Sequence, residues 1–289
     1  MDYGTAVLLA LALPVALLPG CCSSVRPDLG EPVPRDYERV EAHLNHDGIS
    51  HLYVLFVPAC YRKDVPMPLM VSLHSHGCTN IDWTIESNKW YERVNPDRFL
   101  LVHPLGERGG WNSRSVSSGR DDLGFLIALV KQISAEYSVD RGRVWVYGTS
   151  NGAMMANKCA ALAPDVFTAA ATICGTLSEP LQAQLKPSRP VSLLAFHNMD
   201  DKVVPYSLQL PACTRWAQAD GCDVGPITEK YSPKTSRMTW SRSNTNTQVV
   251  LYSTETGGHG LPADDIPWRD IVLTFFKTRD VAGGDGSPP

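Results

Sequence analysis

The chain has 289 residues, 43% of them hydrophobic, and a formal net charge of -4. Length and apolar content suffice for one α/β domain with a substantial core, and the mild acidity, with no basic run, removes any electrostatic reason to expect nucleic acid as a partner. Eight cysteines suit an oxidising compartment.

In chain order, the apolar stretch from Ala6 to Leu18 is too short for an ordinary transmembrane helix and suits the core of an export signal. Leu18-Pro19-Gly20-Cys21 then has the form of a lipoprotein cleavage box, with Cys21 as the residue to be lipidated, although no Lys or Arg stands in the first five residues. The expected organisation is an export signal over 1–21, a polar, proline-bearing linker over 22–36, one catalytic domain over 37–279 and a disordered Gly- and Pro-rich tail over 280–289. The expected location is outside the cell or in its envelope, with Cys21 a candidate membrane anchor.

After the linker, Val40 to Leu44 and Leu52 to Val57 predict an edge hairpin around Asn45-His46-Asp47-Gly48. Pro68 to His74 and Phe99 to His103 read as buried strands, with a helix over 81–94 between them ended by Asn95-Pro96. Asp121-Asp122 supplies a cap for an amphipathic helix over 123–137. The alternation continues with strands over 143–147, 167–174, 191–196 and 249–252, and helices over 152–162, 207–219 and 265–277. It predicts a mostly parallel sheet with helices on both faces, whose ligands bind beyond the carboxyl ends of the strands. Cys213 and Cys222, flanking a short segment, are the first choice for a disulfide.

The stretch that organises the rest is Gly148-Thr149-Ser150-Asn151-Gly152, a G-x-S-x-G turn between a β-favouring run and a helix-compatible one. That context is the requirement for a nucleophile elbow, in which a strained turn lifts the serine hydroxyl above the sheet. A serine hydroxyl needs a base, so the elbow predicts a downstream acid and then a histidine. Asp200 and Asp201 follow one strand, and His259, after Gly257-Gly258, follows another. The backbone N–H of Asn151, next to the nucleophile, is the expected first oxyanion donor. His197 is either a structural histidine at a strand end or a substrate contact. His74, His76 and Cys78, two apart on an extended segment, could chelate zinc, and a metal-dependent hydrolase built on His74 and His76 is one alternative. No second cluster supplies a clear fourth ligand, so no metal is expected.

Six motifs in order carry a resemblance: Pro68 to His74 leading to His76-Gly77-Cys78; Asp121-Asp122-Leu123-Gly124-Phe125; Val139-Asp140 with Arg143-Val144-Trp145-Val146; the elbow; Val203-Val204-Pro205-Tyr206; and Gly257-Gly258-His259. From about Leu52 to about Lys277 the chain resembles the secreted polyhydroxybutyrate-depolymerase and feruloyl or acetylxylan esterase group of the α/β-hydrolases. The resemblance implies an α/β-hydrolase fold, Ser150 as nucleophile, His259 as base and Asp201 as its orienting acid. It further implies the Cys78 N–H as second oxyanion donor, Trp111 at the substrate cleft and no cofactor. In such relatives a later cysteine often pairs with the match of Cys222, and this chain has none there. Leu261 stands where relatives usually carry Trp, which favours a soluble or small ester over a crystalline polyester. The expected working form is a monomer acting on a small or oligomeric ester, and a non-catalytic carbohydrate-binding protein on the same fold is the other alternative.

Overall fold

The computed structural model describes residues 36–115, 119–262 and 266–279. The expected export signal with Cys21, nearly all of the linker, the tail, and residue 265, where the last helix was expected to start, lie outside them.

Strands β1 (Tyr37–His46) and β2 (Ile49–Pro58) form the expected hairpin, turning at Asp47 and Gly48, both with positive φ. Strand β3 (Met67–Leu73) follows, then helix α1 (Ile81–Asn88), capped by the Asn80 side chain, which accepts from the amides of Asp82 and Trp83. The single helix expected over 81–94 breaks here. Lys89 is left-handed with φ 50°, and the Asn88 side chain accepts from the Trp90 N–H, so the chain continues as a 3₁₀ turn and the short α2 (Val94–Asp97). An asparagine that bonds the backbone ahead of it competes with helix propagation in this way.

After β4 (Leu100–Pro104) come α3 (Asp122–Glu136), capped by Asp121 onto the Gly124 N–H, then β5 (Val139–Thr149), α4 (Asn151–Leu162), β6 (Ala169–Ile173) and α5 (Glu179–Gln184). The chain closes with β7 (Ser192–Asn198), α6 (Gln209–Ala219), β8 (Val224–Ser232), β9 (Thr235–Ser241), β10 (Gln248–Thr254) and α7 (Trp268–Thr278). The sheet runs β1-β2-β4-β3-β5-β6-β7-β10-β9-β8. Strands β4 to β10 in that order are mutually parallel, and both edges are antiparallel.

Alternate residues of each central strand enter opposite cores, as a period of two requires. Leu69, Val71, Val144 and Val146 pack with α3, α4 and α6 on one face, whereas Met70, Trp145 and Tyr147 pack with α1 and α7 on the other. The carboxyl ends of β5, β7 and β10 therefore meet along one rim. The expected Cys213–Cys222 bridge is not formed. Both are thiols: Cys213 is buried on α6 beside the Gln209 amide, and the Cys222 N–H is tied to the Ala217 carbonyl one turn beyond it.

Candidate active site

Strand β5 ends at Thr149 and α4 begins at Asn151, which leaves Ser150 alone in the turn with φ 55° and ψ -118°. A non-glycine residue in this region is strained and persists only where its surroundings fix it. The Ser150 N–H donates to the Ile173 carbonyl at 2.8 Å. A Cβ added at residue 148 would lie 2.2 Å from the Gly152 oxygen, and one at 152 would lie 2.3 Å from the Leu73 oxygen. Strand, turn and helix close on one another only because both positions are glycine.

The three side chains expected at the rim converge. Ser150 Oγ lies 2.8 Å from His259 Nε2, and His259 Nδ1 lies 2.8 Å from Asp201 Oδ2. The second oxygen of Asp201 accepts from the Val203 and Val204 amides at 2.8 and 3.0 Å. Burial pushes the Asp201 carboxyl up, but His259 and the two amides together outweigh it and hold the group below the usual carboxylate range. An ionised Asp201 fixes the proton on Nδ1 and leaves Nε2 free to accept from the serine. Asp200 takes a different task, because its carboxylate is exposed and accepts from the Gly258 N–H at 2.7 Å.

Two supports of the His259 loop escaped the sequence reading. Asn198 at the end of β7 donates to the Gly258 carbonyl at 3.0 Å, and the Cys174 thiol donates to the Gly260 carbonyl at 3.0 Å. Cys174 itself has φ 52° just beyond β6. The available signal was a polar residue ending a buried strand on the rim already marked by Ser150.

Beside Ser150 opens a cleft of about 440 Å³ lined by His76, Trp111, Arg114, Met154 and Val203 among others. Trp111 lines it while being buried, with its indole N–H donating to the His74 carbonyl at 3.0 Å. The Asn151 side chain clasps this loop, accepting from the Trp111 N–H at 2.7 Å and donating to the Ser113 hydroxyl at 3.0 Å. Its backbone N–H stands in the first turn of α4, where no intrahelical acceptor exists. The Cys78 thiol points toward α1, 2.7 Å from the Thr84 hydroxyl. His197 does not line this cleft, and a direct substrate contact is corrected: it is buried, with Nε2 2.8 Å from the Val204 carbonyl and 3.3 Å from Asp201 Oδ2. It shares the face of Leu193 and Ala195, beneath α6, so it braces the loop that carries Asp201.

The zinc reading of His74, His76 and Cys78 also fails. His74 Nε2 accepts from the Gly106 N–H at 2.8 Å and Nδ1 donates to the Ser75 carbonyl at 2.8 Å, so neither nitrogen is free for a metal. Among the described residues Cys174, Asp201 and His259 do bring ligand-type atoms within 4.8 Å of one another. Those atoms are already committed to each other and to Gly260.

Burial pushes the His74 imidazole down to about 4. His103 on β4, fully buried with neither ring nitrogen partnered among the described residues, is pushed by burial and by nearby His74 to about 3. Because the unfolded chain takes up these protons near pH 6.5 and the folded chain does not, stability is retained above about pH 6.5 and lost as pH falls toward 4. These two groups remove on the order of 5 kcal/mol by pH 4, and the Asp220 carboxyl, pushed up to about 7 by burial, returns part of it because the folded chain takes up its proton first. Urea midpoints measured against pH should fall by the difference, and His103→Leu should remove most of the decline. A midpoint that stays flat from pH 7 to 4.5 in the wild type contradicts this account.

The ten-stranded sheet, the elbow and the Ser150–His259–Asp201 arrangement define an α/β-hydrolase fold. The chain is similar to feruloyl esterases, acetylxylan esterases and polyhydroxyalkanoate depolymerases. The prolyl oligopeptidase family matches residues 117–179, which include the elbow. Feruloyl esterase B of Piromyces equi is 24% identical over 239 residues, 75% of this chain and 44% of that protein. Poly(3-hydroxyalkanoate) depolymerase C of Paucimonas lemoignei is 33% identical over 116 residues, 37% of this chain and 28% of that protein. The chain thus spans less than half the length of these two relatives. The solved acetyl xylan esterase from Aspergillus awamori superposes with TM-score 0.62 at 19% identity, covering 79% of this chain and 94% of that one. No helix among the described residues is long and apolar enough to cross a membrane.

Proposed function

We propose that the protein is an exported serine hydrolase of carboxylic esters. The observation that carries the reading is the continuous hydrogen-bonded line from Ser150 Oγ through His259 to the buried Asp201. His259 removes the Ser150 proton as the oxygen attacks the ester carbonyl, and the imidazolium so formed is stabilised by Asp201. The tetrahedral oxyanion is taken by the Asn151 and Cys78 N–H groups. Collapse expels the alcohol, which receives the proton from His259, and leaves an acyl-serine. A water molecule deprotonated by His259 then releases the acid and restores the serine. Every proton is carried by His259, so the scheme calls for no cofactor.

The substrates named in the relatives, feruloyl, acetyl-xylan and hydroxyalkanoate esters, set the range to be tested. Leu261, 40% exposed just beyond His259, offers less flat surface than a tryptophan would and favours a soluble ester over a crystalline one. Export, with Cys21 as a candidate lipid anchor, rests on the leader sequence alone. The purified protein should hydrolyse 4-nitrophenyl butyrate, and a fluorophosphonate probe should add to the peptide containing Ser150, read by mass spectrometry. Absence of turnover together with labelling elsewhere would overturn the assignment. The match to the prolyl oligopeptidase family favours peptide bonds as a second reading, and peptide 4-nitroanilides in the same assay decide between them.

A further inference from the structure

The cleft beside Ser150 is chemically asymmetric. Among the described residues its floor and walls are aromatic, apolar or neutral polar, no carboxylate lines it, and Arg114 is its only permanently charged side chain. Arg114 is exposed and makes no ion pair among the described residues. Two other cations near this loop are already balanced: Arg120 faces Glu107 and Asp122, and the Lys158 ammonium on α4 lies near Asp121 and Asp122.

The backbone that carries Arg114 is fixed on both sides. Lys158 Nζ donates to the Asn112 and Ser115 carbonyls at 2.8 and 2.7 Å, and the Ser178 hydroxyl donates to the Arg114 carbonyl at 3.3 Å. One residue earlier, the Ser113 hydroxyl is bonded to Asn151, the neighbour of the nucleophile. An unbalanced guanidinium is thereby carried from an anchored backbone on the wall of the cleft that holds the reacting serine. Its planar fork matches a carboxylate through two parallel hydrogen bonds.

We propose that the cleft selects esters that carry a carboxylate, which pairs with Arg114 while the ester carbonyl sits at Ser150. The proposal rests on the hydrolase reading given above and adds the class of substrate. The carboxylate can belong to the acid half, as in a half-ester of a dicarboxylic acid, or to the alcohol half. A charge-assisted bidentate pair in such a cleft corresponds to a preference of about tenfold to a hundredfold.

The test measures kcat/KM at low ionic strength for two matched pairs. Mono-4-nitrophenyl glutarate against 4-nitrophenyl butyrate varies the acid half, and 4-acetoxybenzoate against phenyl acetate varies the alcohol half. In at least one pair the wild type should favour the anion, and R114Q should lower the anion-to-neutral ratio tenfold or more, mainly through KM. R114K should recover part of the ratio, and 0.5 M sodium chloride should erode the wild-type preference but not that of R114Q. The pair that responds identifies the half bearing the charge. Ratios in R114Q within twofold of the wild type for both pairs overturn the proposal.

Calorimetric titration of the wild type and R114Q with monomethyl glutarate separates this proposal from the hydrolase reading. If no ester is turned over, weaker binding to R114Q still supports an anion site, and equal binding or none to either protein rejects it.

Discussion

Ser150→Ala and His259→Ala should each lower kcat toward 4-nitrophenyl butyrate by about 10⁵- to 10⁶-fold, and the double variant should lose no more than either single one. The non-additivity follows from the geometry. Ser150 Oγ and His259 Nε2 share one hydrogen bond of 2.8 Å, and the hydroxyl is an ordinary alcohol once its acceptor is gone. The imidazole, in turn, has nothing to deprotonate once the oxygen is removed. The activity that remains should be the share supplied by substrate binding and by the Asn151 and Cys78 amides, which neither substitution touches. Steady-state rates, with circular dichroism to establish that each variant folds, give the answer. A double variant that loses the product of the two single losses would mean that serine and histidine act in separate steps, contrary to the scheme.

The parts of the site legible in the sequence are those whose position depends on chain order alone. Ser150 is marked by glycines that sterics demand, and Asp201 and His259 each follow an apolar run, so all three were placeable at one rim before any contact was known. What was lost depends on which way a side chain faces. His197 stands at a strand end like the others, yet strand alternation turns it under α6 with Leu193 and Ala195, and counting by twos from the core residues would have shown this. The β8–β9 hairpin escaped because β8 is almost wholly exposed at the sheet edge and carries no apolar face to mark it. The break after α1 turns on one asparagine side chain, whose bond to the Trp90 amide no hydrophobic period reveals. The work of Asn151 in clasping the Trp111 loop likewise depends on a contact between residues 40 apart in the chain.

Asp201→Asn should lower kcat by about 10⁴-fold, whereas the neighbouring Asp200→Asn should cost less than about tenfold. From the sequence the two carboxylates are interchangeable by a one-residue shift of the loop; in the structure their partners differ. Asp201 receives two backbone amides on Oδ1 and the His259 N–H on Oδ2. An asparagine there keeps its oxygen for the two amides and turns its NH₂ toward His259, which must then present an unprotonated Nδ1. The proton moves to Nε2, where it faces the serine oxygen and blocks its deprotonation, so geometry is preserved while the base is lost. Asp200 instead accepts one N–H from Gly258, and the oxygen of an asparagine can do the same. Its substitution therefore leaves the His259 loop anchored, also by Asn198 and Cys174. The comparison is made on kcat for a single ester, with crystallography or NMR of the imidazole nitrogens to read the tautomer. Equal losses in the two variants would mean that negative charge near the loop, rather than the specific hydrogen bond to Nδ1, sustains the base.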